Sequence, residues 1–152
     1  MELTNINVAR FFVADRPELY YQEFVQISQR AGWSNGTFTI ILNAIEKDYI
    51  RVDLNRYIHR SLFSVTPDAI EATRHQLENL AHDSGYYGIF AIFSYDGFPA
   101  IDYEWNEHLL QSIIENYDMG FRLLEPKVKD RRYKKGIIVF KDNPCQSYED
   151  FV

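Results

Sequence analysis

The sequence predicts an α+β fold, in which a mostly antiparallel sheet has helices packed on it. Helical patterns are interspersed with β-rich runs, but they lack the regular strand–helix–strand alternation that is typical of a parallel sheet. The most apolar of the long uncharged runs covers residues 86–95 and is apolar at every position from 89 to 93. A strand with one face in water would alternate, so this run predicts an interior strand covered on both faces.

Length and composition predict one globular domain over residues 1–152, with a polar C-terminal tail from about residue 143. No apolar run is long enough to span a membrane, and the N-terminus lacks the basic and apolar parts of a signal peptide. Cys145 is the only cysteine, which excludes an intrachain disulfide and is typical of a reducing compartment. We therefore expect a cytoplasmic protein that does not contact membranes.

Three segments carry the start and stop signals of helices. The signal is clearest at Thr66-Pro67, where an N-cap hydroxyl precedes a proline at the first helical position. Asp15 and Asp102 are the predicted N-caps of the other two, and a glycine follows each apolar stripe. The predicted helices cover residues 16–31, 67–83 and 103–118.

The segment from residue 37 to residue 54 is compatible with two structures. Residues 37–42 are rich in β-branched side chains and residues 50–54 alternate, which favours two strands joined by a turn. The apolar residues between 38 and 52 also fit a helical stripe. A short helix is predicted over 54–63, and strands over 121–124 and 136–140. The predicted core includes Leu77, Ile89, Phe90, Ile92, Leu109 and Ile113.

A winged-helix-like fold is the alternative. In that fold, residues 34–83 would supply the helices and a hairpin at Asp96-Gly97 would form the wing. The acidity of the chain counts against it. No internal repeat is visible in the sequence.

Charge is unevenly distributed along the chain. The formal net charge is -6 and the pI is about 5.2, which argues against a protein that coats nucleic acid non-specifically. Between Lys127 and Lys135, however, six basic residues stand against one acidic residue. This basic loop predicts contact with an acidic protein, with the acidic face of a second copy or with a nucleic-acid backbone, and the alternative is protection of a sheet edge. The predicted contact residues are Lys129, Arg131, Arg132, Tyr133, Lys134 and Lys135.

Aromatic residues provide a second candidate contact surface. The chain has eleven tyrosines, eleven phenylalanines and two tryptophans, and such side chains are enriched at interfaces. Tyr95 and Phe98 flank the Asp96-Gly97 turn, where they either project towards a partner or fold back onto the core.

Two polar clusters are candidate sites with a structural alternative. Arg56, His59 and Arg60 would form a cradle for an anion if they shared one turn of a helix. A carboxylate–imidazole stripe on the second helix has metal-ligand chemistry, but it matches no metal or catalytic motif, so we expect a solvated surface. Its residues are Glu71, His75, Glu78 and His82, and Glu104 and His108 repeat its four-residue step.

These observations predict a non-enzymatic protein-binding module, such as an inhibitor or an immunity-type antagonist of a partner protein. No catalytic motif, cofactor motif or metal-ligand pattern is present in the sequence, so neither cofactor nor metal is expected. One alternative is a small hydrolase that acts on a nucleotide or phosphoester through converging histidines and arginines. The other is a nucleic-acid-binding regulator that uses the basic loop.

Overall fold

The structure is a computed structural model that describes residues 16–124 and 136–143, apart from the side chain of Phe90. The chain divides into two compact units, with the boundary between Ser64 and Val65. Both units combine helices with antiparallel strands, so the α+β fold class is confirmed. The single domain and the polar tail stay predictions. Among the described helices, none has the length and apolar character needed to cross a membrane.

The first unit is a three-stranded sheet with two helices between its first and second strands. The strand order is β1-β3-β2, and both strand pairs are antiparallel, so the last strand lies between the other two. The elements in chain order are β1 (Glu18–Tyr20), α1 (Tyr21–Ala31), α2 (Asn35–Glu46), β2 (Tyr49–Arg51) and β3 (Arg56–His59).

A three-residue turn joins α1 to α2. Gly32 ends α1 with a φ of 69°, a left-handed conformation that favours glycine. The backbone N–H of Trp33 then donates to the carbonyl of Ser28 at 3.0 Å. Ser34 is the N-cap of α2, because its side-chain oxygen accepts from the backbone N–H of Thr37 at 3.1 Å. The two helices are therefore joined by a short turn, and a hydrogen bond fixes each end of it.

The core of the first unit forms where the apolar faces of α1 and α2 meet the sheet. The ring of Phe24 is fully buried and lies 5.5 Å from Phe38 and 5.9 Å from Trp33, centroid to centroid. These rings close one side of the cluster. The buried members of the cluster are Leu19, Tyr21, Phe24, Ile41, Leu42, Ile45, Tyr49 and Tyr57.

The second unit contains another three-stranded antiparallel sheet. Its strand order is β4-β6-β5, and Ile138 in the central strand is 1% exposed. The elements are α3 (Pro67–Ala81), β4 (Tyr86–Gly88), a 3₁₀ turn (Ile89–Ala91), α4 (Glu107–Asn116), β5 (Phe121–Leu124) and β6 (Ile137–Phe140). The predicted strands over 121–124 and 136–140 are thereby confirmed.

The prediction of an interior strand over residues 89–93 is wrong. The strand ends at Gly88, the chain then forms the 3₁₀ turn, and β4 lies at an outer position of the sheet. Ile89 is buried as predicted, but Ile92 is half-buried and Phe93 is 95% exposed. A continuously apolar run does not distinguish a buried strand from an irregular segment. The predicted burial of Leu77, Leu109 and Ile113 is confirmed, whereas the side chain of Phe90 lies outside the described residues.

Two further predictions of local structure are wrong. Residues 37–42 lie in α2 rather than in a strand, because the Ser34 cap and the burial of Ile41 and Leu42 override their β-branched character. Residues 54–63 contain β3 instead of a helix. The second predicted strand is confirmed in part, as β2.

The predicted helix boundaries need correction at two N-termini. The first helix begins at Tyr21 rather than at residue 16, because Glu18–Tyr20 pair with β3; Asp15 lies outside the described residues. The third begins at Glu107 rather than at 103, because Asn106 accepts from the backbone N–H groups of His108 and Leu109. The Thr66 cap of α3 is confirmed.

The two units repeat one winged-helix-like order of elements, although the wing predicted at Asp96-Gly97 is wrong. That turn joins no strand pair, since β4 and β5 both pair with β6. In each unit a strand, a helical segment, a helix and two further strands follow one another, and the last strand is central. The 3₁₀ turn of the second unit stands where the first unit has α1. The repeat is therefore topological and is not visible in the sequence.

Replacing Ile138 with Ala should lower the free energy of unfolding by roughly 2–5 kcal/mol, because Ile138 is buried in the central strand of its sheet. Urea unfolding followed by circular dichroism measures the change. The matched control is Ile40→Ala, at a position that is 61% exposed, which should change stability by under about 0.5 kcal/mol. Equal losses in the two variants would contradict the assignment of β6 to the core.

Candidate protein-binding surface

Residues 92–105, which connect the 3₁₀ turn to α4, carry an aromatic cluster that we call the aromatic turn. The ring of Phe98 lies 5.2 Å from Tyr95 and 4.9 Å from Trp105, centroid to centroid. Tyr95 and Trp105 are stacked 6.3 Å apart with an interplanar angle of 8°. Contacts of this kind between aromatic rings stabilise the conformation of the segment that carries them.

Hydrogen bonds add to the order of the aromatic turn. The indole N–H of Trp105 donates to the carbonyl of Pro99 at 2.7 Å. The backbone N–H of Phe98 donates to the carbonyl of Tyr95 at 3.0 Å, and that of Asp96 donates to the hydroxyl of Ser94 at 3.3 Å. The segment is irregular, but both its rings and its backbone are held in place.

Phe93 lies in this segment with its side chain 95% exposed. It stands between the half-buried residues Ile92 and Tyr95. Full burial of a phenylalanine side chain contributes roughly 1.5–3 kcal/mol, and this contribution is not used within the protein. The side chain of Phe93 is therefore exposed for contact with a partner, and the aromatic cluster that follows it in the chain is ordered.

The sequence on both sides of the aromatic turn is acidic. No lysine or arginine occurs between Arg74 and Arg122, whereas eight acidic residues do. Burial raises the pKa of Tyr95 to about 12, and the negative charge of Glu107 adds to this effect. A surface of this charge favours a basic partner.

The two aromatic residues predicted to contact a partner lie in the aromatic turn. Phe98 is 8% exposed and Tyr95 is half-buried, so both fold back into the cluster instead of projecting. Their role in partner binding stays a prediction. Sequence reasoning missed Phe93, because it was assigned to the interior strand, and only its position just before the Ser94–Gly97 turn region signals exposure. The basic loop, Lys127–Lys135, lies outside the described residues.

The carboxylate–imidazole stripe on α3 is organised by an arginine. The guanidinium of Arg74 donates to Glu71 at 2.5 Å and also pairs with Glu78. The hydrogen bond from Arg74 holds the pKa of Glu71 below its usual range. Both carboxylates are therefore engaged within their own helix, as in ordinary pairs of residues three and four apart.

The histidines of the second unit each lie near a different carboxylate. His75 Nε2 lies 3.6 Å from Glu71, and His82 Nδ1 lies 3.1 Å from Asp83. His108 is buried on α4, with Nε2 3.7 Å from Glu107. Among residues 16–124 and 136–143, no three histidine, cysteine, aspartate or glutamate side chains are grouped as metal ligands would be.

The helical turn predicted to carry Arg56, His59 and Arg60 is wrong, because Arg56–His59 form β3 and Arg60 follows it. Arg56 pairs with Glu18 at 2.9 Å, and the Arg60 guanidinium donates to the carbonyl of Lys47 at 2.5 Å. Side chains alternate along a strand, so Arg56 and His59 lie on opposite faces of β3. Anion binding by these residues stays a prediction. His59 Nδ1 lies 2.8 Å from the hydroxyl of Ser61, in a local contact two residues apart.

A groove of about 500 Å³ between α4 and β5 is a feature that the sequence did not predict. Its lining includes Tyr117, Asp118, Arg122 and Lys141. Lys141 Nζ donates to Asp118 at 2.6 Å, and this bond holds the pKa of Asp118 below its usual range. The guanidinium of Arg122 donates to the carbonyl of Asn143 at 2.6 Å. These contacts commit charged groups of the groove to one another and to the backbone.

Comparisons with protein-family models, with curated proteins and with solved structures return no match for this chain.

The buried phenol of Tyr95 should make folding sensitive to alkaline pH. Because its folded-state pKa is raised to about 12 from 10, its contribution to stability is present below pH 10 and is lost as the pH rises from 10 to 12. The measurement is the urea midpoint across that window for the unaltered chain and for Tyr95→Phe. The variant should lose less stability than the unaltered chain, and an identical decline would contradict the burial of the phenol.

Proposed function

We propose that the protein is a non-enzymatic protein-binding module that receives its partner on the aromatic turn. The observation that carries the proposal is the exposure of Phe93 beside the ordered Tyr95–Phe98–Trp105 cluster. Energetically dominant interface residues are typically large aromatic side chains that enter a pocket of the partner. A side chain on an ordered backbone also loses less conformational entropy on binding.

The chemistry of the surface supports a partner with a basic rim around an apolar pocket. Residues 65–124 contain ten acidic residues and two basic ones. An acidic rim accelerates association with a basic surface and contributes less to the lifetime of the complex, which the buried aromatic side chain determines. A small module of this kind would act as an inhibitor or antagonist by covering a basic functional surface of its partner.

Replacing Phe93 with Ala should weaken the complex about 30-fold or more, since loss of a dominant interface aromatic costs at least ~2 kcal/mol. Tagged full-length chain is used to capture proteins from its own host, and each captured protein is then purified and titrated against the chain by calorimetry. Leu62→Ala, at an exposed apolar position in the first unit, is the control and should bind within about twofold of the unaltered chain.

A purified partner that binds Phe93→Ala and the unaltered chain with equal affinity would overturn the assignment of this surface. Recovery of a bound nucleotide, with no protein partner, would favour the small hydrolase. Circular dichroism should show that Phe93→Ala leaves the fold unchanged, because an exposed side chain contributes little to the core.

Charge reversal of the basic loop distinguishes the two candidate contact surfaces. The variant replaces Arg131, Arg132, Lys134 and Lys135 with Glu. If an acidic partner docks on that loop, association should slow much more than dissociation accelerates, and the effect should fade with salt. With the basic partner proposed for the aromatic turn, the same change should leave association unchanged or accelerate it.

A further inference from the structure

We propose that the first unit binds duplex DNA and that the exposed stripe of α2 is the element that enters the major groove. The stripe consists of Gly36, Ile40, Asn43 and Lys47. The inference is independent of the proposed protein-binding role, because it concerns residues of the other unit and a different ligand.

The order of elements in the first unit is that of a helix-turn-helix followed by a β-hairpin. Two helices joined by a three- or four-residue turn that contains glycine define this motif, in which the second helix reads the bases. Here α1 and α2 are joined by residues 32–34, with Gly32 in the left-handed region. Tertiary contacts in the cluster between α1, α2 and the sheet hold the two helices as one body.

One face of α2 is in solvent. Apart from Asn35, the exposed residues of α2 and its C-cap Lys47 recur in steps of four, three and four from Gly36, which places them along a single helical stripe. The opposite face, with Ile41, Leu42 and Ile45, is buried. The packed side of the helix therefore fixes which side is presented to a ligand.

The chemistry of the stripe fits a DNA groove. Asparagine pairs with adenine, an apolar side chain contacts the thymine methyl group, and lysine contacts phosphate. Along the helix, Ile40, Asn43 and Lys47 supply an apolar, an amide and a cationic group in that order. Glu46 is the one acidic residue of α2; it is half-buried, and one of its oxygens accepts from the Tyr57 hydroxyl at 3.3 Å. No carboxylate therefore stands on the stripe to repel phosphate.

Charge along the chain agrees with this assignment. Residues 16–64 contain six basic and five acidic residues, so the acidity of the protein is concentrated in the second unit. The side chains of Arg30, near the end of α1, and Lys47 are exposed and make no hydrogen bond or ion pair with any residue that the structure describes. Arg30 and Lys47 therefore place a positive charge near each end of α2, the helix proposed to contact the bases.

The β2–β3 hairpin is a short, ordered neighbour of the helix pair. The Arg51 guanidinium donates to the carbonyls of Asp53 and Leu54, at 3.2 and 2.5 Å, and thereby closes the turn. Asn55 N–H donates to the Asp53 carboxylate at 2.8 Å. The hairpin therefore has an ordered turn next to the helix pair.

The corresponding helix of the second unit does not have such a face. Every residue of α4 from His108 to Ile114 is buried, and the exposed residues at its end are Glu115 and Asn116. A buried helix does not enter a groove. Of the two helices that precede a strand pair in this way, α2 and α4, only α2 has an exposed stripe.

The test is fluorescence anisotropy with full-length protein and a labelled pool of random duplexes of about 20 base pairs, at about 50 mM salt. The unaltered chain should bind with a micromolar Kd, on the order of non-specific DNA binding. The double variant Ile40→Asp/Asn43→Asp should bind at least about tenfold more weakly, because it places two carboxylates against phosphate. Lys47→Ala should lower the slope of log Kd against log salt by about one.

The matched control introduces two aspartates on α3 instead of α2. Ala72 and Asn79 are exposed on α3, and Ala72→Asp/Asn79→Asp should bind DNA within about twofold of the unaltered chain. The inference is overturned if the unaltered chain does not bind the duplex pool, if the two double variants lose affinity equally, or if single-stranded DNA binds more tightly than the duplex. Thermal unfolding of each variant shows whether any loss of affinity reflects loss of the fold.

Discussion

The insertion of the last strand between the first two is the constraint on which each unit depends. Tyr57 in β3 pairs with Leu19 of β1 on one side and with Arg51 of β2 on the other. Ile138 in β6 bridges Tyr87 and Leu123 in the same way. Because the first and second strands of each unit do not pair with each other, neither has a strand partner without the last strand. Its backbone groups are satisfied on both edges, and the helices pack against the completed sheet.

Local signals in the sequence predicted the parts of the fold that are determined locally. The Thr66 cap, the Gly32 stop and the alternation that gave β2 are encoded within a few residues of their effects. Insertion of the last strand is determined by contacts between residues that are far apart in the sequence, and local sequence patterns do not reveal which residues make these contacts. Residues 37–42 illustrate the consequence, because their β-branched character is local whereas the burial of Ile41 and Leu42 is not. The most apolar of the long uncharged runs was therefore assigned to the interior, a position that the four-residue strand β6 occupies.

The candidate surfaces were predictable only where they depend on composition. The aromatic character of residues 95–98 and the acidity around them can be read from the sequence. The exposure of Phe93 is signalled only by the turn that follows it, because an apolar residue in an apolar run is expected to be buried. The helical turn predicted around Arg56 was wrong for a related reason: side chains that share one face of a helix alternate between the two faces of a strand. Net charge is an average over unlike parts of the chain. It counted against a nucleic-acid role for the whole chain, whereas residues 16–64 are nearly neutral.

The two units show how one order of elements supports two kinds of surface. In the first unit the helix before the hairpin is amphipathic, with Ile41 and Ile45 inside and Ile40 and Asn43 in solvent, so the regular element itself can contact a ligand. In the second unit the equivalent helix is buried along most of its length, and the exposed aromatic side chain lies in the irregular segment that precedes it. A helix fully committed to the core leaves recognition to loops, which a rigid scaffold can position without losing stability. Phe93 and the α2 stripe therefore belong to different units and to different kinds of element, an irregular segment in one unit and a regular helix in the other.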